Sequence, residues 1–128
     1  FIISKIKNKR FIIRSNGKLV RDYLYVGDAV NAYYLTMKAL INKKKNLRIY
    51  NVGSKYNLNV LEMTSKVSKI VDNKEANLKI LNSSKNEISF QKLNYKKIMK
   101  ELNWSQKVDL NTGLKKTIEW YKSYINLF

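Results

Sequence analysis

The spacing of apolar residues changes abruptly across Gly27, from alternation on its N-terminal side to a 3.6-residue repeat on its C-terminal side, so the chain must pass there from a strand into a helix. Over residues 18–26 the side chains alternate: Leu19, Arg21, Tyr23 and Tyr25 share one face, and Val20, Asp22, Leu24 and Val26 share the other. Over residues 29–41, Val30, Tyr33, Tyr34, Met37 and Ile41 form one helical stripe, which the periodicity predicts to be buried. Gly27 permits the turn, and Asp28 is expected to cap the helix by accepting from its first free backbone N–H groups. Arg21 thus lies among aromatic neighbours near a helix start. A guanidinium so placed suits a phosphate, because it offers a rigid fork of donors and keeps its charge. On spacing alone the plainer reading has the advantage: a half-exposed strand arginine paired with a neighbouring carboxylate.

The rest of the chain reads as one compact α/β unit over residues 1–128, with no internal repeat and no low-complexity linker. Residues 1–10 look like the end of an amphipathic helix, with apolar side chains at 1, 2, 3 and 6. Residues 11–15 are a short strand, and Asn16-Gly17 predicts a tight hairpin back into the 18–26 strand. A loop containing Lys43-Lys44-Lys45 leads to a strand at 47–52. Asn59 followed by Glu62 is a capping-box pattern, opening a helix that carries Leu61, Thr64, Val67 and Val71 inward. Residues 78–81 are a further strand and 82–91 a polar loop. Asn94 is expected to cap a helix at 95–102, and Asp109 to open the last one.

Composition removes several kinds of chemistry. There is no cysteine, hence no disulfide, thiolate nucleophile or thiolate metal site, and no histidine, the commonest general base and metal ligand. Nine carboxylates are scattered, so no acid pair stands out for hydrolysis. No apolar run approaches the roughly 20 residues of a membrane span, and a cytoplasmic protein without membrane contact is expected. The net charge of +17 raises nucleic-acid binding as a rival function. Lysine heavily outnumbers arginine, the cations lie along every predicted element, and no RNA-binding aromatic motif or zinc finger occurs. The joint excess of Lys, Asn and Ile is also what an AT-rich gene encodes. A nucleic-acid partner is therefore not expected.

Four stretches in order carry a resemblance. Val20-Arg21-Asp22-Tyr23-Leu24-Tyr25-Val26-Gly27-Asp28-Ala29 resembles the Arg-Asp-aromatic-aliphatic-Tyr/His-Val-x-Asp signature of extended short-chain dehydrogenase/reductases, the NAD-dependent epimerases and dehydratases of nucleotide sugars. Ile49-Tyr50-Asn51-Val52-Gly53 is similar to that family's Tyr-Asn-aliphatic-Gly strand end. Lys96 to Trp104 is similar to its Lys-aliphatic-x-x-x-Leu-Gly-Trp helix, with Asn103 at the Gly position. Leu114 to Tyr121 is similar to its closing Thr-aliphatic-x-Trp-Tyr helix.

The resemblance implies the C-terminal, substrate-binding portion of a Rossmann-type enzyme. Its Gly-rich dinucleotide turn and catalytic Tyr-x-x-x-Lys lie upstream of the matched region, so the chain is expected to be a piece of a longer enzyme, inactive alone. In the intact enzyme, NAD or NADP would be bound by the N-terminal half, and a homodimer is possible. The implied reaction begins with hydride transfer from sugar C4 to NAD, followed by loss of water in a dehydratase or hydride return to the opposite face in an epimerase. The substrate-binding residues implied are Arg21, Asn51 and Asn86, gripping a nucleotide-diphosphate sugar; a turn-forming role for Asn51 fits its position as well. Where epimerases and glucose dehydratases of the family usually carry an Arg-x-Gly-Asp-type loop, this chain has Ser83-Ser84-Lys85-Asn86-Glu87, more similar to the Asn-Glu-Ile loop of the CDP-glucose 4,6-dehydratase-like branch. Tyr34 and Lys38 share the Tyr-x-x-x-Lys spacing, but fall on what the family has as a packing helix and are expected to be surface. No residue of this chain is expected to be catalytic, to bind the cofactor or to bind metal. The alternative is a stand-alone nucleotide-sugar-binding or scaffold remnant, distinguished by whether the reading frame upstream encodes the dinucleotide turn.

Overall fold

A computed structural model describes residues 1–42, 49–84 and 86–128. In chain order the elements are α1 (Ile2–Ile6), β1 (Phe11–Ile13), β2 (Val20–Asp22), α2 (Val26–Ile41), β3 (Asn57–Asn59), α3 (Val60–Val71), β4 (Leu78–Ile80), α4 (Lys96–Leu102), α5 (Leu110–Ser123) and a 3-10 turn at Ile125–Leu127. The expected α/β class holds. Among the described residues the strands form two small sheets: β1 parallel to β4, with Ile12 opposite Lys79, and β2 antiparallel to β3, with Arg21 opposite Leu58.

The predicted 11–26 hairpin does not form. Both edges of β2 are taken, one by β3 and the other by the 89–91 segment, where Val20 N–H donates to the Ser89 carbonyl (2.9 Å) and Gln91 N–H to the Val20 carbonyl (3.1 Å). No edge is left for β1. The Asn16-Gly17 turn is still a turn, with Lys18 N–H bonded to Asn16 Oδ1, but Gly17, at φ +79°, docks on the start of α3. A Cβ there would stand 2.7 Å from Leu61 Cγ, so the position needs glycine for both dihedral and space.

The passage from strand to helix is present but shifted, since β2 ends at Asp22 rather than Val26 and Gly27 lies inside α2 rather than in a turn, and two further corrections apply. The helix starts at Val26, not Ala29, with Tyr25 at the N-cap and no side-chain cap bond. Asp28 is therefore inside the first turn. Its carboxylate turns away from α2 and accepts from the backbone N–H groups of Lys107 and Val108, both at 3.0 Å. The second correction concerns the buried face of α2. Val30, Tyr33, Tyr34, Met37 and Ile41 all lie exposed, Tyr33 at 79%. The inward residues are Asp28 and Ala32, with half-buried Leu35. The period was legible, but the phase was set by what packs there: Ala32 is small enough to let α4 approach, and Ile98 and Trp104 fill the space.

That cluster, Ala32, Ile98 and Trp104 with Leu24, Leu35, Tyr50, Val52, Tyr95 and Leu102 around it, is the core nearest the candidate site. Trp104 is fully enclosed and its indole N–H donates to the Asp28 carbonyl at 3.0 Å, satisfying the one polar atom that burial would otherwise penalise. Truncating a tryptophan in such a place costs about 3–5 kcal/mol. Asn103, just before it, ends α4 in the left-handed region (φ +52°), a conformation asparagine tolerates; this explains how Asn stands where the family pattern has Gly.

Elsewhere two of the three expected caps form. Asn59 and Glu62 form a reciprocal capping box at α3, and Asp109 accepts from Thr112 N–H at α5. Thr64 and Val67 are buried as predicted, joined by Ser68, while Leu61 and Val71 are only half buried. Asn94 bonds Lys96 N–H, but the N-cap residue of α4 is Tyr95. The predicted 47–52 strand is only partly within the described residues; Ile49 to Val52 are not in a strand, and the Lys43-Lys44-Lys45 run lies outside the described residues. Lys5 is buried at the far end of α3, bonded to the carbonyls of Lys74 and Glu75 and paired with Asp72 at 2.9 Å.

Candidate anion site beside the second strand

Arg21 and Asp22 leave β2 on opposite faces, as alternation requires, and do different work. Asp22 is a staple. Its two oxygens accept from Ser54 N–H (2.7 Å) and Leu93 N–H (3.1 Å), tying the 53–54 turn and the approach to α4 onto the strand. Gly53 makes this possible, since a Cβ there would come within 2.8 Å of Asp22 Oδ2 and 3.0 Å of Leu93 Cβ. The signal for this staple was in the sequence: a carboxylate on the inward face of a strand must find donors.

Arg21 faces the 86–90 segment. Its Nη1 donates to the carbonyls of Val20 (2.9 Å) and Ile88 (2.8 Å), and its Nη2 lies 3.4 Å from Glu87 Oε2. Two carbonyls thus lock the plane of the guanidinium. Among the described residues Nε has no acceptor, and Glu87 is the single partner of Nη2. The Nε–Nη2 edge is the geometry that binds a carboxylate or phosphate oxygen pair. The side chain is 28% exposed, and Glu87 stands at the Nη2 end of this edge. The plainer reading of Arg21, pairing with a carboxylate, is present in the structure as Glu87.

The expected aromatic setting is there too. Burial raises the Tyr23 hydroxyl above its ordinary value, and the positive charge of Arg21 pulls it back down. Tyr25 is wedged between glycines: a Cβ on Gly27 would stand 2.9 Å from its ring, and one on Gly113 3.2 Å from its Cβ. Lys116 Nζ lies 5.8 Å from the centre of the same ring.

Of the three residues implied as substrate contacts, Arg21 meets the 87–88 segment directly, and Asn86, at φ +60°, stands immediately before Glu87 in the chain. Asn51 is exposed, and among the described residues no hydrogen bond joins it to either. Its neighbour Tyr50 bonds Glu101 at 2.9 Å, anchoring that segment to α4. Glu87 and the Ile88 carbonyl were not among the predicted contacts. Tyr34 and Lys38 lie on the exposed side of α2, as expected. Among the described residues no group of acidic side chains could hold a metal ion, and no helix is long and apolar enough to cross a membrane.

The family model described as GDP-mannose 4,6 dehydratase matches residues 2–117. The chain belongs to this family. Human dTDP-D-glucose 4,6-dehydratase is 28% identical over 120 residues, covering 90% of this chain and 33% of the human enzyme. Among solved structures, UDP-glucose 4-epimerase of Thermotoga maritima with UDP-glucose superposes at a TM-score of 0.82 and 28% identity, over 97% of this chain and 38% of that one. UDP-glucuronic acid 4-epimerase of Bacillus cereus, with UDP-glucuronic acid and NAD, gives 0.81 and 26%, over 96% and 38%. The fold is thus that of a C-terminal portion of the Rossmann-type extended short-chain dehydrogenase/reductases. Family members are NAD-dependent dehydratases and epimerases, and the chain spans between about a fifth and two fifths of the length of the relatives it matches.

Proposed function

We propose that this chain is the substrate-gripping part of an NAD-dependent nucleotide-sugar 4,6-dehydratase or epimerase, and that Arg21 holds the diphosphate through its Nε–Nη2 edge. The observation that carries this is the locked guanidinium: two backbone carbonyls fix its plane through Nη1, and among the described residues its remaining bidentate edge holds only the exposed Glu87 carboxylate, which an anion would displace. Positioning of this kind supplies several kcal/mol of a catalysed barrier without any proton transfer by the fragment itself. The strongly positive chain also raises the local concentration of anionic ligands. Asn86, next in sequence to Glu87, is kept as a second proposed contact, whereas Asn51 would need another part of the enzyme to bring ligand to it. A CDP-sugar rests on the match of Asn86-Glu87-Ile88 alone, while the relatives above are named for dTDP and UDP sugars.

The residues present do not fit a dinucleotide. Gly17 packs against Leu61, Gly53 against Asp22 and Leu93, and Gly113 against Tyr25, while Gly27 lies within α2, so the four glycines form no Gly-rich turn that would let a backbone approach a pyrophosphate. NAD would be held by a dinucleotide-binding half. The exposed stripe of Val26, Val30, Tyr33, Met37 and Ile41 on α2 supports the presence of such a partner, because an apolar face of this kind ordinarily has a cover. A homodimer of the intact enzyme is a further expectation.

The test is titration of UDP-glucose and NAD into the chain and its Arg21→Ala and Arg21→Lys variants, followed by NMR at the Arg21 side-chain N–H. Loss of the charge-assisted contact should weaken UDP-glucose binding by about 1.5–3 kcal/mol, roughly ten- to a hundredfold, and lysine should recover only part, since it cannot fork. NAD should leave the spectrum unchanged. A lower melting temperature for Arg21→Ala with unaltered UDP-glucose affinity would return Arg21 to a purely structural role.

A further inference from the structure

We propose, resting on the reading of Arg21 as the diphosphate contact, that Glu87 discriminates between two ligands with the same nucleoside diphosphate, favouring the nucleotide-diphosphate sugar over the free nucleoside diphosphate. Glu87 Oε2 is the one described partner of Arg21 Nη2, at 3.4 Å, and its side chain is 43% exposed. The carboxylate cannot wander far. Two residues on, Ser89 accepts from Val20 N–H, and the Ile88 carbonyl between them is bonded to Arg21 Nη1. Glu87 therefore stays within reach of the guanidinium edge even when it releases Nη2.

An anion arriving at Nε and Nη2 meets this carboxylate. Either Glu87 swings away and the ion pair is lost, or it stays and repels the ligand. The first cost is the same for every ligand, but the second grows with the ligand's charge. UDP-glucose and UDP share the base, the ribose and the diphosphate. They differ in that the terminal phosphate of UDP loses a second proton near pH 6, as phosphomonoesters do, and so carries about one further negative charge at neutral pH. Glu87 penalises that extra charge. It is a specificity residue acting through Arg21, and in the enzyme it would weaken competition by free nucleotide diphosphate.

The experiment measures dissociation constants of UDP and UDP-glucose for the chain and for Glu87→Gln, an isosteric change on an exposed segment, with a melting curve for each. Glu87→Gln should bind UDP about two- to fivefold more tightly, the range of an exposed charge pair, and UDP-glucose by a smaller factor. The difference should shrink in high salt. An unchanged UDP to UDP-glucose ratio, with Arg21→Ala still weakening both ligands, overturns the role of Glu87 alone. Wild-type binding of both ligands by Arg21→Ala, or no response of the Arg21 N–H to either at millimolar concentration, overturns the Arg21 reading and this inference with it.

Discussion

Asp28 offers the sharpest test of how this fold is held, because two roles for it differ in place as well as in size. As a helix cap, it would protect the first amides of α2, and its removal would cost about 1 kcal/mol. In the structure it is 2% exposed and accepts from Lys107 and Val108 N–H at 3.0 Å, while its backbone carbonyl receives the Trp104 indole N–H. Each bond to the carboxylate is worth about 1.5–3 kcal/mol. Asp28→Asn keeps one acceptor oxygen and turns an amide N–H toward a backbone N–H, so it should lose at least one bond. At about 3–5 °C per kcal/mol for a chain of this size, the melting temperature should fall by about 5–15 °C. Asp28→Ala strands both donors and should cost about 3–5 kcal/mol, enough to unfold a chain of marginal stability. The assay is thermal melting together with hydrogen exchange on wild type and Asp28→Asn. Exchange should accelerate at Lys107 and Val108. Unchanged protection at those two amides, with faster exchange confined to the first turn of α2, would refute the staple and restore the cap.

Gly53→Ala should destabilise by about 1–3 kcal/mol through overpacking against Asp22 and Leu93, read as a fall in the denaturant midpoint; a neutral result would mean the 53–54 turn can shift. Asp72 is held below its ordinary value near 3.8, first by its hydrogen bond from Lys5, and Asp109 likewise, first by its bond from the Thr112 hydroxyl. Carboxylates with depressed folded-state values contribute stability that is present above the unfolded value and lost as pH falls through the folded one, so the melting temperature should decline below about pH 4. Lys5→Met should flatten part of that decline, and an acid profile unaffected by it would show that Asp72 is not coupled to folding. Finally, Tyr33→Lys with Met37→Lys should reduce self-association of the isolated chain in light scattering without lowering its melting temperature; a loss of stability would place those side chains in a core.

The local grammar of this chain could be read from its residues. The change of period at Gly27, the Asn59–Glu62 capping box, the Asp109 cap and the opposite faces of Arg21 and Asp22 depend on neighbours within four positions, where sequence spacing and spatial spacing coincide. Arg21 stood out for the same reason, and the four motifs in order indicated the family. Tertiary structure decided the rest. It broke the predicted hairpin, because β2 had better partners in β3 and the Phe90 segment than in β1. It took Asp28 out of its helix's service, because its buried carboxylate meets two backbone amides some 80 positions further along instead of the exposed helix start. It turned the small side of α2 inward, because Ile98 and Trp104 occupy the space that a larger stripe would fill. It also set Glu87 and the Ile88 carbonyl against Arg21, a contact between residues 66 and 67 positions apart. Periodicity tells a segment which of its residues belong together, but only the packed chain determines which face is covered and which distant donors a buried carboxylate must satisfy.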